Sequence, residues 1–267
     1  MKFYFASERY TFWQFLYKFT RSGGPNAVLL IYFFVLLSSL YSCNPVYYAP
    51  GPQQLPAFSN SLETKVNLGY VVTPSAVGLE ASVLHTPTQN LTLAAGHAAF
   101  TGQSVSGQTS IYGNGSLSEL GIGYYLWLND QRSLVFDHCF YWGYGNFLYR
   151  SSHPLDSNEN YHIGSKFQRF SQLTGLSYRS KYFEAGLSVK LAYLQYYEPT
   201  LSRFCPSAYV DMVVQHNRLF VAEPCLTLKA GPSFLKFYLS IEASKNLSLA
   251  AFPQEKEKLS FGLLARF

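Results

Sequence analysis

Charge is scarce in this sequence: Asp, Glu, Lys and Arg make up 13% of its 267 residues. Lys and Arg outnumber Asp and Glu by 20 to 15, yet they form no basic stripe or cluster, so nucleic acid is not an expected partner. There are four cysteines but no Cys-x-x-Cys, and no His-x-x-x-His occurs, so no metal or other cofactor is expected. No Gly-x-Ser-x-Gly elbow is present, and Gly121-Ile122-Gly123 is too short for a dinucleotide loop. Apolar runs long enough to cross a bilayer as a helix, about 20 residues, are missing. Beyond the first 42 residues helical spacing is missing too.

What is present begins with a leader. Ala27 to Tyr41 is an apolar run of the length of a signal-peptide core, preceded by Lys2, Arg9, Lys18 and Arg21. It stops at Leu40-Tyr41-Ser42-Cys43, which resembles the lipobox of bacterial lipoproteins. On this reading residues 1–42 are a lipoprotein signal peptide and Cys43 carries a lipid such as palmitate; the alternative is an uncleaved N-terminal anchor or an ordinary buried Cys43. Residues 43–61, rich in Pro, Gly, Gln and Ser, read as a lipidated tether with little capacity for a core. The mature chain keeps 16 Lys+Arg against 14 Asp+Glu, a net charge of about +2. Its three remaining cysteines suggest no disulfide framework.

From residue 62 onward the dominant signal is period two. Val66, Leu68, Tyr70 and Val72 alternate with Lys65, Asn67 and Gly69. Leu120, Ile122, Tyr124 and Leu126 alternate with Glu119, Gly121 and Gly123. Such alternation marks strands with one apolar and one polar or small face. Eleven segments read this way, at roughly 62–72, 75–85, 90–100, 117–128, 132–148, 162–180, 181–197, 204–217, 219–229, 233–250 and 257–267, with longer breaks near 101–116, 150–161 and 197–206. The reading is an all-β, antiparallel up-and-down transmembrane β-barrel over residues 62–267. Because such barrels close with an even number of strands, 10–12 are expected and twelve is favoured, with 101–116 hiding one.

Alternation alone does not separate a membrane barrel from a lipid-anchored soluble β-sandwich. Long strands favour the barrel, as do aromatics near strand ends: Tyr47 and Tyr48, Tyr124, Tyr125 and Trp127, Phe140 to Tyr144, and Tyr193 to Tyr197. The last residues, Leu259 to Phe267, put Leu259, Phe261, Leu263, Ala265 and Phe267 on one face. A terminal Phe267 with Gly262 five residues earlier resembles the assembly signal read by the outer-membrane barrel-assembly machinery. With the lipobox, the "N-P…Y-x-P…L-P-x-F" stretch and the meander ending "KLSFGLLARF", the mature chain resembles the uncharacterised outer-membrane β-barrel lipoproteins of the Bacteroidetes type. That resemblance implies outer-membrane localisation and carries no activity to particular residues.

The face opposite the lipid would line the lumen. It includes Lys65, Glu80, Glu119, Glu184, Lys190, Glu223, Lys229, Lys236, Glu242 and Arg266. Mixed signs in a narrow barrel are expected to pair and fill the interior, since an unpaired charge out of water costs several kcal/mol. Cys205 and Cys225, placed on adjacent strands, would sit roughly 20 Å apart along the ladder, too far for a disulfide. Ser152, His153 and Asp156 read as loop polarity, with a lipid-modifying hydrolase as the minority reading. The expectation is therefore a lipid-anchored outer-membrane barrel, structural or an accessory subunit beside another envelope protein, without catalysis. A narrow passive channel for small solutes is the alternative, and a surface lipoprotein with a β-sandwich that binds glycan or protein is the other.

Overall fold

The computed structural model describes residues 48–58, 60–106, 109–152, 160–202, 205, 207–215, 217–248 and 254–267. Among them are β1 (Thr64–Val72), β2 (Val77–His85), β3 (Leu91–Ser106), β4 (Thr109–Trp127), β5 (Leu134–Ser152), β6 (Tyr161–Arg179), β7 (Phe183–Leu201), α1 (Ser207–Val214), β8 (Arg218–Ala230), β9 (Leu235–Ala243), β10 (Lys245–Asn246) and β11 (Glu257–Arg266). Each strand pairs antiparallel with its neighbour from β1 to β8. β8 pairs with β9, β9 with β11, and β11 returns to β1, so the sheet closes on itself. Closure leaves no edge strand exposed.

Among the described residues the barrel has ten staves. β10 prolongs β9 on the flank of β8 without a change of register: Cys225 faces Glu242 and Ala222 faces Lys245. The twelve favoured from the sequence do not form there, and the segment that misleads is 204–217. It holds α1, in which Val210 and Val213 recur at helical spacing and Gln215 N–H donates to the Asp211 carbonyl at 2.9 Å. A short apolar run of β-branched residues fits either period. Residues 101–116, expected as a break that hides a twelfth strand, add none: 101–106 and 109–116 prolong β3 and β4 themselves, paired from Thr101–Asn114 to Ser106–Thr109. Alternation fades there because Gln103, Tyr112 and Asn114 stand on an exposed outer face. The two-sheet sandwich is excluded by the closed ladder.

The outer face is apolar over a band of about nine residues per strand. Leu68 and Tyr70 of β1, Leu79 and Val83 of β2, Phe237 and Ile241 of β9, and Phe261 and Leu263 of β11 are exposed. These four strands are 9 or 10 residues long, the length that crosses a bilayer at a tilt of about 45°. β4 to β7 run to 19 residues. Their extra turns carry outward Asn114, Asn146, Arg150, Lys166 and Glu198 and project from one end only. That end bears the β3–β4, β5–β6 and β7–β8 connections, α1 and the β10–β11 connection. The other end has tight turns at 86–90, 128–133, 180–182 and 231–234, together with Thr64 and Phe267, whose backbones bond each other at 2.9 and 3.1 Å.

Among the described residues, five of the eleven aromatics expected in interfacial girdles point inward instead. Tyr48, Tyr125 and Tyr196 are buried and Tyr141 packs against buried Cys139, while Tyr124, Phe140, Trp142 and Tyr144 face out. Aromatic identity does not reveal the face; parity within the strand does.

Candidate functional site

The lumen is not empty. Residues 48–58, within the stretch read as a tether, run through it and are buried along almost their whole length. A Pro-rich chain can do this only if its carbonyls find donors, because a buried carbonyl without a partner costs about 1–3 kcal/mol. The barrel wall supplies them. Lys258 Nζ donates to the carbonyls of Pro50 at 3.3 Å and Gly51 at 2.5 Å. Lys190 reaches Pro52 at 3.2 Å and Lys229 reaches Leu55 at 3.2 Å. Lys65 bridges Pro56 at 2.7 Å and Ala57 at 3.0 Å, and Trp127 Nε1 donates to Phe58 at 3.1 Å. The donors come from β11, β7, β8, β1 and β4, so the segment is surrounded by staves and occupies the axis.

Proline suits this role: it keeps a carbonyl acceptor but brings no N–H that would itself need a partner. Ala57 adopts φ 42°, a left-handed conformation that costs an L-residue about 1–2 kcal/mol. It is held there from both sides, its carbonyl by Lys65 and its N–H by Asp137.

The ammonium groups that cap the plug are balanced by wall carboxylates. Lys190 meets Glu119 at 2.9 Å, and Glu119 also takes Arg169 at 3.2 Å. Arg169 pairs on its other side with Glu223, which accepts the Tyr48 hydroxyl as well. Lys258 bridges Glu242 at 3.0 Å and Glu80 at 3.4 Å. Glu184 gathers Arg179 at 3.5 Å, Lys236 at 3.6 Å and Lys65 at 4.0 Å. Arg266 lies at the tight-turn rim, 3.0 Å from Glu63. The interior is thus a three-dimensional salt lattice with the plug's carbonyls built into it.

Shape complements charge. The Leu55 side chain sits in a notch formed by Gly175 of β6 and Gly186 of β7; a Cβ on either would lie 2.6 or 2.8 Å from a Leu55 methyl. Phe58 packs on Tyr125 with ring centroids 5.4 Å apart, beside Leu84 and Val135. At the other extreme Tyr48 meets Phe167 edge-on at 6.1 Å in a cluster with Tyr196 and with Val213 of α1. Its carbonyl accepts from Glu255 N–H at 2.9 Å. Glu255 clasps the β1–β2 turn through the Thr73 hydroxyl at 2.7 Å, Ser75 N–H at 3.2 Å and the Ser75 hydroxyl. Burial pushes its carboxyl above the ordinary glutamate value, against these hydrogen bonds, which hold it down.

The structure buries nine of the ten residues read as luminal: Lys65, Glu80, Glu119, Glu184, Lys190, Glu223, Lys229, Lys236 and Glu242. Arg169, Lys258, Asp137 and Glu63 were missed. Lys258 was within reach, because it shares parity with Ser260 and Gly262. Asp137 alternates with outward Phe136 and His138. Arg169 was hard to find, since β6 carries Gln168, Gln172 and Thr174 on its outer face and blurs the polar–apolar contrast.

Gly262 faces Gly69 of β1 and Tyr238 of β9, and the Tyr238 ring lies across Gly69 with its hydroxyl donating to Glu80 at 3.1 Å. Phe267 is exposed beside Thr64. Cys225 faces Ser188 and Glu242 rather than Asp211, which lies in α1. Cys205 stands outside the strands, and Cys139, Cys205 and Cys225 are free. Ser152 ends β5, whereas His153, Asp156 and Cys43 lie outside the described residues, as do residues 1–42.

No family model and no curated protein sequence matches the chain. Among solved structures it is similar to a major outer membrane protein from Thermus thermophilus, at 13% identity and a TM-score of 0.40, over 77% of this chain and 99% of that one. It is also similar to the translocator domain of the autotransporter NalP from Neisseria meningitidis, at 8% identity and a TM-score of 0.44, over 77% and 87% of the two chains. The outer membrane protease OmpT from Escherichia coli is a third, at 12% identity and a TM-score of 0.39, over 77% and 92%.

Proposed function

We propose that this chain is an outer-membrane β-barrel closed by its own N-terminal segment, anchored a second time by lipid on Cys43, and serving as a structural or accessory subunit rather than as an open pore or a catalyst. The observation that carries this reading is the row of luminal lysines bound to the carbonyls of Pro50, Gly51, Pro52, Leu55, Pro56 and Ala57. A diffusion channel needs a continuous water path, and its constriction usually carries charge of one sign. Here the axis is chain, and both signs are spent on pairing. A membrane setting is supported by the outward apolar band, which would be a large exposed liability in water. Gly262 and Phe267 are offered as the features read by the assembly machinery, and the projecting β3–β7 hairpins with α1 as the surface for another envelope protein.

Planar-bilayer recording tests the closed state. The purified full chain, shown to be folded by a faster gel mobility before boiling than after, is expected to insert without discrete conductance steps. Reproducible steps from the folded chain would contradict the closed reading and restore the narrow channel.

A further inference from the structure

The plug has a direction, and that direction fixes where the preceding chain emerges. Phe58 lies at the tight-turn end, against Tyr125, Val135 and the Trp127 indole beside the 128–133 turn. From there the chain passes to Leu62, bonded to Thr86 at the 86–90 turn, and enters β1 at Thr64. Tyr48 lies at the opposite end, bonded to Glu255 of the β10–β11 connection and packed with Val213 of α1. Residues 48–58 therefore traverse the barrel from its projecting end to its tight-turn end.

Four residues separate Cys43 from Tyr48, and the five steps between them span at most roughly 18 Å of extended chain at 3.3–3.6 Å per residue. Behind Tyr48 the lumen is already filled by residues 50–58. In outer-membrane barrels the short turns face the periplasm and the longer connections face outward. We propose that the chain is threaded through its own barrel, so that Cys43 emerges on the outer side and its lipid enters the outer leaflet. The leaflet assignment rests on the lipid reading given above; the threading does not.

A membrane-impermeant maleimide applied to intact cells and to permeabilised cells tests this, in a Cys205→Ser background where Cys139 and Cys225 are buried. Single variants place a thiol at Val46 upstream of the plug (Val46→Cys), at the projecting end (Gln215→Cys) and in a tight turn (Asp130→Cys). Expected is labelling of Val46→Cys and Gln215→Cys on intact cells, with Asp130→Cys reacting only after permeabilisation. Val46→Cys behaving like Asp130→Cys while Gln215→Cys labels on intact cells would overturn the threading. Reaction of Asp130→Cys alone on intact cells would overturn the outer-leaflet assignment. The background chain without an added cysteine isolates the lipid reading: a lipidated Cys43 thiol takes no label after permeabilisation, whereas a free one does.

Discussion

Arg169→Ala is expected to lower the unfolding free energy by about 3–5 kcal/mol, the usual cost of removing one partner from a buried ion pair. Arg169 is 0% exposed and joins Glu119, Glu223 and, through its guanidinium face 5.6 Å from the ring centroid, Tyr48. Without it two carboxylates remain on the lumen wall, Glu119 with Lys190 at 2.9 Å and Glu223 with the Tyr48 hydroxyl. The damage comes chiefly from the orphaned charge, not from a lost bond. The double variant Arg169→Met/Glu223→Met is therefore expected to recover most of the loss, although the Tyr48 hydroxyl then lacks its acceptor. Urea titration in detergent, followed by tryptophan fluorescence, reads both. Equal losses in single and double variants would show that Arg169 acts through packing alone.

The plug itself is tested by Leu55. Truncation to Ala removes a buried isobutyl group and leaves a cavity between Gly175 and Gly186, with an expected cost of about 2–5 kcal/mol. Gly186→Ala alone is expected to destabilise by about 1–3 kcal/mol through overpacking, because its new methyl would approach a Leu55 methyl to 2.8 Å. Combined, the two substitutions relieve each other: the methyl added at position 186 enters the space that the Leu55 side chain vacates. The double variant should lose clearly less than the sum of the singles, a coupling that only direct contact produces. Strict additivity in the same urea titrations would mean that Leu55 and Gly186 do not touch.

Period-two alternation made the staves legible wherever one face meets a uniform apolar surface, as in β1, β2 and β11. It failed in two physically distinct places. Beyond the apolar band the β3–β4 hairpin has no apolar partner on its outer face, so Thr101, Gln103 and Asn114 break the pattern although the ladder continues. In α1 the run Val210 to Val214 was too short to separate helix from strand. The luminal charges were readable from strand parity. What they bind was not, because a Pro- and Gly-rich stretch has the composition of a linker. Its burial depends on carbonyl acceptors, which every residue has and no sequence pattern displays.

The central claim is that residues 48–58 occupy the lumen, and a disulfide measures it most directly. A Cβ built on Gly96 of β3 lies 3.7 Å from the Cβ of Pro52, within the roughly 3.5–4.5 Å that a disulfide spans. Pro52→Cys/Gly96→Cys, made in the Cys205→Ser chain, oxidised while folded and digested, is expected to yield a linked peptide joining the two segments, with neither single variant doing so. Free thiols at both positions in protein that still shifts its mobility on boiling would contradict the account, leaving a closed barrel whose N-terminal segment lies elsewhere.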